Sequence, residues 1–239
     1  MSDYLWDIRE TCCLSLNKQL SPEWSQLRTG RGTMSLAAAM AGHIPAKIFE
    51  DFYGSDEKLA EIILGVSDKS FSRKQESVMK HGQMFEPFVR DWYSKEILNI
   101  PITEVGLAIW KKDQRFGGSL DGEFIIGGVE HGLEIKSPQK MYRQLVEYSE
   151  AFKKGYLSSP GDHIFRSHYD QMVGNGIITN KKFMHYVVMS PTKEVYWENF
   201  LVDVEYWEKD LYPNMRSFYD KYVEPLLTKS KIKRIDVHI

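Results

Sequence analysis

Two adjacent glycines, Gly127 and Gly128, interrupt the stretch GSLDGEFIIGGVEHGLEIKSP (118–138) and constrain the fold of this chain more than any other feature. Glycine takes positive φ without steric cost, so the pair supplies both central residues of a two-residue hairpin turn. In that register Ile126 faces Val129, and each step outward pairs positions whose numbers sum to 255. Asp121 then stands opposite Glu134. Because side chains alternate along a strand, Ser119, Asp121, Glu134 and Lys136 project from one face, with cross-strand Cβ atoms about 5 Å apart. Two carboxylates that close, with an ammonium beside them, form a candidate site for a divalent cation. A one-residue slip would turn them to opposite faces, so the site depends on the turn.

Other ligand chemistries find little support. Cys12 and Cys13 are neighbours and the only cysteines, which disfavours a structural disulfide and excludes a four-thiolate site. The seven histidines are scattered. Glu123 shares the face of Asp121 but is set against Gly132, while Glu130 and His131 are expected near the turn, with His131 exposed. Oxygen ligands from Asp121 and Glu134, joined by the main-chain carbonyl of Ile135, suit Mg²⁺, or Mn²⁺ in its place. Such an ion activates water and polarises a phosphodiester oxygen, and Lys136 is placed to orient that water or to stabilise charge on phosphorus. A surface hairpin with Lys136 simply paired to a carboxylate is the plain alternative, worth at most about 1 kcal/mol.

A chain of 239 residues, 42% hydrophobic and 13% aromatic, can bury one sizeable core, and a single domain is the economical reading. No run of eighteen apolar residues exists, and MSDYLWDIRE is too charged for a signal peptide, so a soluble, intracellular chain without a membrane is expected. The net charge of −2 argues against a globally basic nucleic-acid coat but leaves room for local patches. Those are Arg28 with Arg31, then Lys69, Arg73, Lys74 and Lys80, then Lys111, Lys112 and Arg115, and the tail from Lys229 to Arg234, each readable as a solvated face.

Ser21-Pro22 opens a helix bearing Trp24, Leu27 and Arg28, interrupted by Gly30 and Gly32. A short helix capped by Thr33 or Ser35 runs to Gly42. Val78, Phe85, Val89 and Trp92 mark a long amphipathic helix over 72–98, with Glu86 beside the apolar stripe. Ile102 to Trp110 alternates as a strand leading into the hairpin, with Val105, Leu107 and Ile109 on one face. A helix over 141–154, a loop at 158–161, a helix from about His163 to Ile178 and a second hairpin of Phe183–Met189 with Val195–Val202 follow. Asp203 caps a last helix through Tyr222, stopped by Pro225, and a basic tail ends the chain.

The set Asp121, Glu134-Ile135-Lys136 resembles the PD-(D/E)xK nuclease motif. Further pieces occur in order: Glu23 to Gly30, Thr33-Met34-Ser35, His81-Gly82 with Glu86, Ser119 to Gly122, and Tyr169-Asp170-Gln171. Together they resemble the phage lambda exonuclease and YqaJ-type viral recombinase family over roughly 20–225. The resemblance implies a single nuclease domain over 1–239, with a basic tail from 226, of the α/β (α+β) restriction-endonuclease-like class, a central mixed sheet flanked by helices. It implies Asp121, Glu134 and the Ile135 carbonyl as metal ligands, with Glu86 assisting directly or through water. Lys136 and Gln171 become catalytic residues, and Arg28, Ser35 and Ser119 a pocket for a 5′-terminal phosphate. Met34 departs from the family, where alanine is common, and the GGVEHG connection is lengthened. The implied activity is Mg²⁺-dependent 5′ to 3′ degradation of one strand from duplex DNA ends, leaving 3′ overhangs for recombination. The implied partners are two further copies in a ring and a single-strand annealing protein, inside a phage- or virus-infected cell. An endonuclease of restriction or junction-resolving type and a catalytically silent end-binding protein are the rival readings. A covalently closed circular duplex separates the first, since an end-dependent enzyme leaves it intact.

Overall fold

The computed structural model describes residues 5–66, 73–137, 164–190 and 192–237, and over 73–79 and at 81 only the backbone. The described chain opens with a hairpin, β1 (Trp6–Ile8) and β2 (Cys12–Ser15). Helix α1 (Pro22–Arg28) forms as expected: Ser21 Oγ accepts from the Trp24 amide, a cap contributing about 1 kcal/mol, and Pro22 sits where no amide donor is needed. Strand β3 (Gly32–Thr33) and a 3-10 turn (Met34–Leu36) lead into α2 (Ala37–Met40), after which Gly42 takes φ +74°. Thr33 stands at the start of that turn, but its hydroxyl makes no capping bond.

Helices α3 (Ala46–Tyr53) and α4 (Asp56–Leu64) come next, without counterpart among the expected elements. The long helix is α5 (Arg73–Trp92), closed by a π-helical turn (Tyr93–Leu98). Strands β4 (Ala108–Trp110), β5 (Phe116–Gly118), β6 (Gly122–Ile126) and β7 (Val129–Lys136) follow. The helix and loop expected over 141–161 lie outside the described residues. Helix α6 (Arg166–Ile178), β8 (Phe183–Met189), β9 (Val195–Leu201) and a helical run α7 over 204–229 complete the chain.

Among the described residues the strands form mixed sheets flanked by helices. The first has the order β1-β2-β4-β5-β3 and the second β6-β7-β8-β9, in which β7 and β8 run parallel. The glycine turn holds: Gly127 and Gly128 both have positive φ, and β6 pairs β7 from Ile126↔Val129 to Gly122↔Leu133. Glu130 and His131 therefore belong to β7, not to the turn. His131 is buried between the rings of Phe124 and Phe183, which corrects its expected exposure.

The 102–110 strand is shorter than its alternation indicates and lies in the first sheet. Residues Val105 to Trp110 are all buried. From Leu107 to Trp110 the alternation separates two cores rather than core from solvent, with Leu107 and Ile109 in one and Ala108 and Trp110 in the other. Val105, expected to share a face with Leu107 and Ile109, packs instead in the cluster of Ala108 and Trp110, because the chain is not in regular strand before Ala108. Gly106 cannot be replaced by a larger residue without conflict, because a Cβ there would lie 2.2 Å from the Ser15 carbonyl oxygen. Pro225 does not stop the last helix, which continues to Lys229. A π turn (Tyr219–Val223) widens the helix just before it, and another (Trp207–Leu211) precedes Pro213. Each proline sits where the regular ladder is already open.

Several arginines of the expected basic patches are engaged internally. Arg31 is fully buried and donates to the carbonyls of Leu27, Gln114 and Ile235. Arg115 is paired with Asp113 and Asp220, and Arg234 with Asp236. The tail folds back, with Val237 buried against Leu27 and Leu107.

Two buried histidines, His168 on α6 and His185 on β8, give a pH-dependent stability. His185 bonds Tyr93 Oη at 2.8 Å and His131 at 2.9 Å, and His168 bonds Tyr186 Oη at 2.7 Å. Burial lowers His168 to about 3 and His185 to about 4. Below the unfolded value near 6.5 the unfolded chain takes up protons that the native state refuses, so their contribution is complete above about pH 6.5 and lost as pH falls towards 4. A His168→Gln, His185→Gln variant is expected to lose less melting temperature than the parent between pH 7 and 5; parallel curves would refute the assignment.

Candidate active site

The residues singled out from the hairpin and from α1, α5 and α6 line one cavity of about 160 Å³. Asp121 lies one residue beyond the β6 ladder. Its amide donates to the Leu133 carbonyl, and its carboxylate accepts from the Ile135 amide at 2.6 Å. That bond ties it to the strand bearing Glu134 and Lys136. Glu134 is fully buried, with Lys136 Nζ donating to one carboxylate oxygen and Asn175 Nδ2 to the other at 3.4 Å. Lys136 Nζ also reaches Gln171 Oε1 at 3.4 Å. Glu86 projects from α5 on the same cavity, held by Arg90 at 2.7 Å. Glu123, by contrast, is engaged by Arg9 and Lys181 and contributes nothing to the cavity.

The second group comes from α1 and the turn after β3. Arg28 stacks over the Trp24 ring at 4.3 Å and donates to Thr33 Oγ1 and Ser35 Oγ, each at 3.1 Å. Trp24 Nε1 in turn donates to Ser119 Oγ at 3.1 Å. Arg28, Ser35 and Ser119 thus share the cavity with the carboxylates. Among the described residues no acid pairs with Arg28, and burial lowers its guanidinium to about 10. An arginine supplied with hydroxyls but no counter-anion is suited to bind one.

Asn175 is the site residue that the sequence reading missed. It lies four residues after Gln171, hence on the same face of α6, and that spacing is the signal that would have found it. Its Nδ2 donates to the Ser119 carbonyl and Glu134, while its buried Oδ1 has no hydrogen-bond partner among the described residues. Gly118 makes room: a Cβ there would fall 2.0 Å from Asn175 Oδ1. The departure at Met34 is accommodated similarly, since a Cβ at Gly174 would fall 2.1 Å from Met34 Sδ. Asp170, next to Gln171, turns away to His43 at 2.7 Å and Tyr206 at 2.5 Å, which fixes α6 from behind. Gly82 is on α5 with Glu86; the His81 side chain lies outside the described residues.

Among the described residues no three acidic, histidine or cysteine side chains converge as a ready-made metal cluster. The charge balance nonetheless fits a cation. Burial pushes Glu134 up to about 8, opposed by Lys136 and reinforced by Asp121. Burial, with Asp121 repelling, pushes Glu86 up to about 7, and burial raises Asp121 as well. Burial works against the Lys136 ammonium too, but Glu134 and Asp121 outweigh it and hold it charged. All three carboxyls are raised by burial, and Asp121 adds to the rise of Glu134 and Glu86, so a bound cation would hold them ionised. Two carboxylates, a main-chain carbonyl and water are the donor set that Mg²⁺ accepts.

No helix among the described residues is long and apolar enough to cross a membrane. No curated protein matches the chain significantly. Among solved structures, an alkaline exonuclease of Laribacter hongkongensis, LHK-Exo, is 21% identical with a TM-score of 0.60, covering 87% of this chain and 97% of that one. Its complex with dAMP gives 0.61 over the same shares at 21% identity. A phage related exonuclease from Haemophilus somnus 129PT is 11% identical with a TM-score of 0.55, covering 83% and 96%. The fold is therefore that of these exonucleases, a mixed α/β architecture. The model of the YqaJ-like viral recombinase domain matches residues 23–182, so the chain that carries this cavity belongs to the YqaJ-like viral recombinase family.

Proposed function

We propose that this protein is a Mg²⁺-dependent exonuclease that enters duplex DNA at an end and removes nucleotides from the 5′ terminus, leaving 3′ overhangs for recombination. One observation carries the reading: an arginine that has no acid partner among the described residues shares a cavity of about 160 Å³ with a buried carboxylate pair and a lysine. This supports an anion-binding group beside a hydrolytic centre, as an enzyme measuring from a phosphorylated end requires.

Asp121, Glu134 and the Ile135 carbonyl would hold Mg²⁺ or Mn²⁺, with Glu86 behind them. When bound, such an ion would supply an activated water and polarise the scissile phosphate. The chain's own residues do the rest. Lys136 presents its ammonium to charge developing on phosphorus and is kept in place by Glu134 and Gln171. Asn175 holds the second oxygen of Glu134, so that carboxylate cannot turn away. Arg28, Ser35 and Ser119 receive the terminal phosphate and set where the cut falls.

Linear duplex labelled at the 5′ or the 3′ end, digested with Mg²⁺ or with chelator, tests activity, metal and polarity at once. Early release of the 5′ label only with Mg²⁺ is expected; early loss of the 3′ label would reverse the polarity. Arg28→Ala is expected to slow digestion of 5′-phosphorylated ends by roughly 10- to 100-fold, the worth of charge-assisted hydrogen bonds, and to affect 5′-hydroxyl ends less. Equal losses on both would remove the phosphate pocket from the reading. A ring of three copies around the duplex, acting inside the infected cell with a single-strand annealing partner, completes the proposal. A monomer in sedimentation, with and without DNA, would count against the ring.

A further inference from the structure

We infer that a second, outer cavity beside Arg28 binds one nucleotide upstream of the phosphate that Arg28 holds, and that the enzyme uses it to start on 5′-hydroxyl ends by releasing a dinucleotide. The inference rests on the nuclease reading above. The outer cavity measures about 430 Å³, and Trp24, Arg28, Thr33 and Ser35 line both it and the inner one. Arg28 therefore stands at the boundary between the carboxylate site and a separate compartment.

The lining of that compartment has two characters. Leu36, Ile62 and Ile63 with the ring of Tyr53 give it an apolar part, and Ser25, Thr29, Arg28 and Arg31 a polar one. Among the described residues no aspartate or glutamate lines it. A bare phosphate would leave the apolar side chains unused, and a wholly apolar ligand would leave the guanidinium without an anion. A base and sugar joined to a phosphate satisfies both. The volume lies within the roughly 300–1,000 Å³ typical of small-ligand pockets, whereas the inner cavity lies below it. A strand end longer than the reacting link has to continue elsewhere, and the outer compartment adjoins the inner one at Trp24, Arg28, Thr33 and Ser35.

The consequence is a change of register. On a phosphorylated end the terminal phosphate occupies Arg28, the next phosphate meets Asp121 and Glu134, and a mononucleotide leaves. A hydroxyl end has no such phosphate. There the link between nucleotides 1 and 2 takes Arg28, nucleotide 1 enters the outer compartment, and hydrolysis falls between nucleotides 2 and 3. Water oxygen bonds to that phosphorus as the P–O3′ bond breaks. The dinucleotide departs with a 3′-hydroxyl, its leaving oxygen taking a proton, and the shortened strand keeps a 5′-phosphate. Every later cycle then runs in the mononucleotide register.

The test is mass analysis of the first products from blunt duplexes that differ only in a 5′-phosphate or 5′-hydroxyl, digested with Mg²⁺. The hydroxyl duplex is expected to release a dinucleotide lacking a 5′-phosphate first, and the phosphorylated one a mononucleotide. Ile62→Trp and, separately, Ser25→Trp, both in the outer compartment only, are expected to cut the dinucleotide share of first products at least tenfold; read as a ratio, a general loss of activity cancels. A nucleoside as the first product from hydroxyl ends, or an unchanged share in both variants, overturns the inference while leaving the nuclease reading intact. No hydrolysis of either duplex overturns both.

Discussion

Glu134→Ala is expected to lose Mg²⁺-dependent digestion of linear duplex by about three orders of magnitude or more, and to lose any rise in melting temperature on adding Mg²⁺. The rate expectation follows from removing several kcal/mol of charge stabilisation at phosphorus, each 1.36 kcal/mol being tenfold. The melting-temperature expectation is independent of catalysis, because it reads metal held by the folded chain. A third consequence concerns the metal-free protein. Burial pushes the Glu134 carboxyl up to about 8, well above its unfolded value near 4.3. A group raised in this way stabilises fully below the unfolded value, and the contribution disappears as pH rises through the native one. In chelator, then, the parent should lose melting temperature between about pH 5 and 8 relative to Glu134→Gln. Surviving Mg²⁺-dependent digestion in Glu134→Ala would show that the site is assigned wrongly.

Lys136→Met separates binding from chemistry. Loss of the ammonium should lower the hydrolytic rate by roughly 10²–10³, the range for removing one preorganised donor from developing charge. Metal affinity should hold or tighten, because Lys136 competes for the same Glu134 oxygen. Titration with Mn²⁺ followed by calorimetry measures this directly. Parallel loss of metal binding and rate would mean that Lys136 is a structural counter-ion rather than a participant. Together the two variants distinguish the group that holds charge from the group that acts on it.

The part of this site legible in the sequence is the part built from local geometry. A two-residue glycine turn leaves little freedom, so the pairing of β6 with β7 could be read directly, and with it the approach of Asp121 to Glu134. Helix α1 was legible for a similar reason, through Ser21 and Pro22. The remainder depends on partners distant in the chain. His131 looks polar in sequence, yet Phe124 and Phe183 bury it from two other strands. The 105–110 segment reads as a one-sided strand because periodicity cannot tell solvent from a second core. Asn175 went unread because an amide has no motif of its own; its meaning comes from Ser119 and Glu134, 56 and 41 residues away.

Burial of Arg31 has a consequence for the order in which the protein is completed. Its guanidinium is inserted beneath α1, three residues from Arg28, and one of its acceptors is the carbonyl of Ile235. During synthesis some two hundred residues must emerge before that acceptor exists, so the guanidinium stays in water until the C-terminal tail folds back over it. Helix α1, with Arg28, is thereby among the first elements to be made and among the last to be locked.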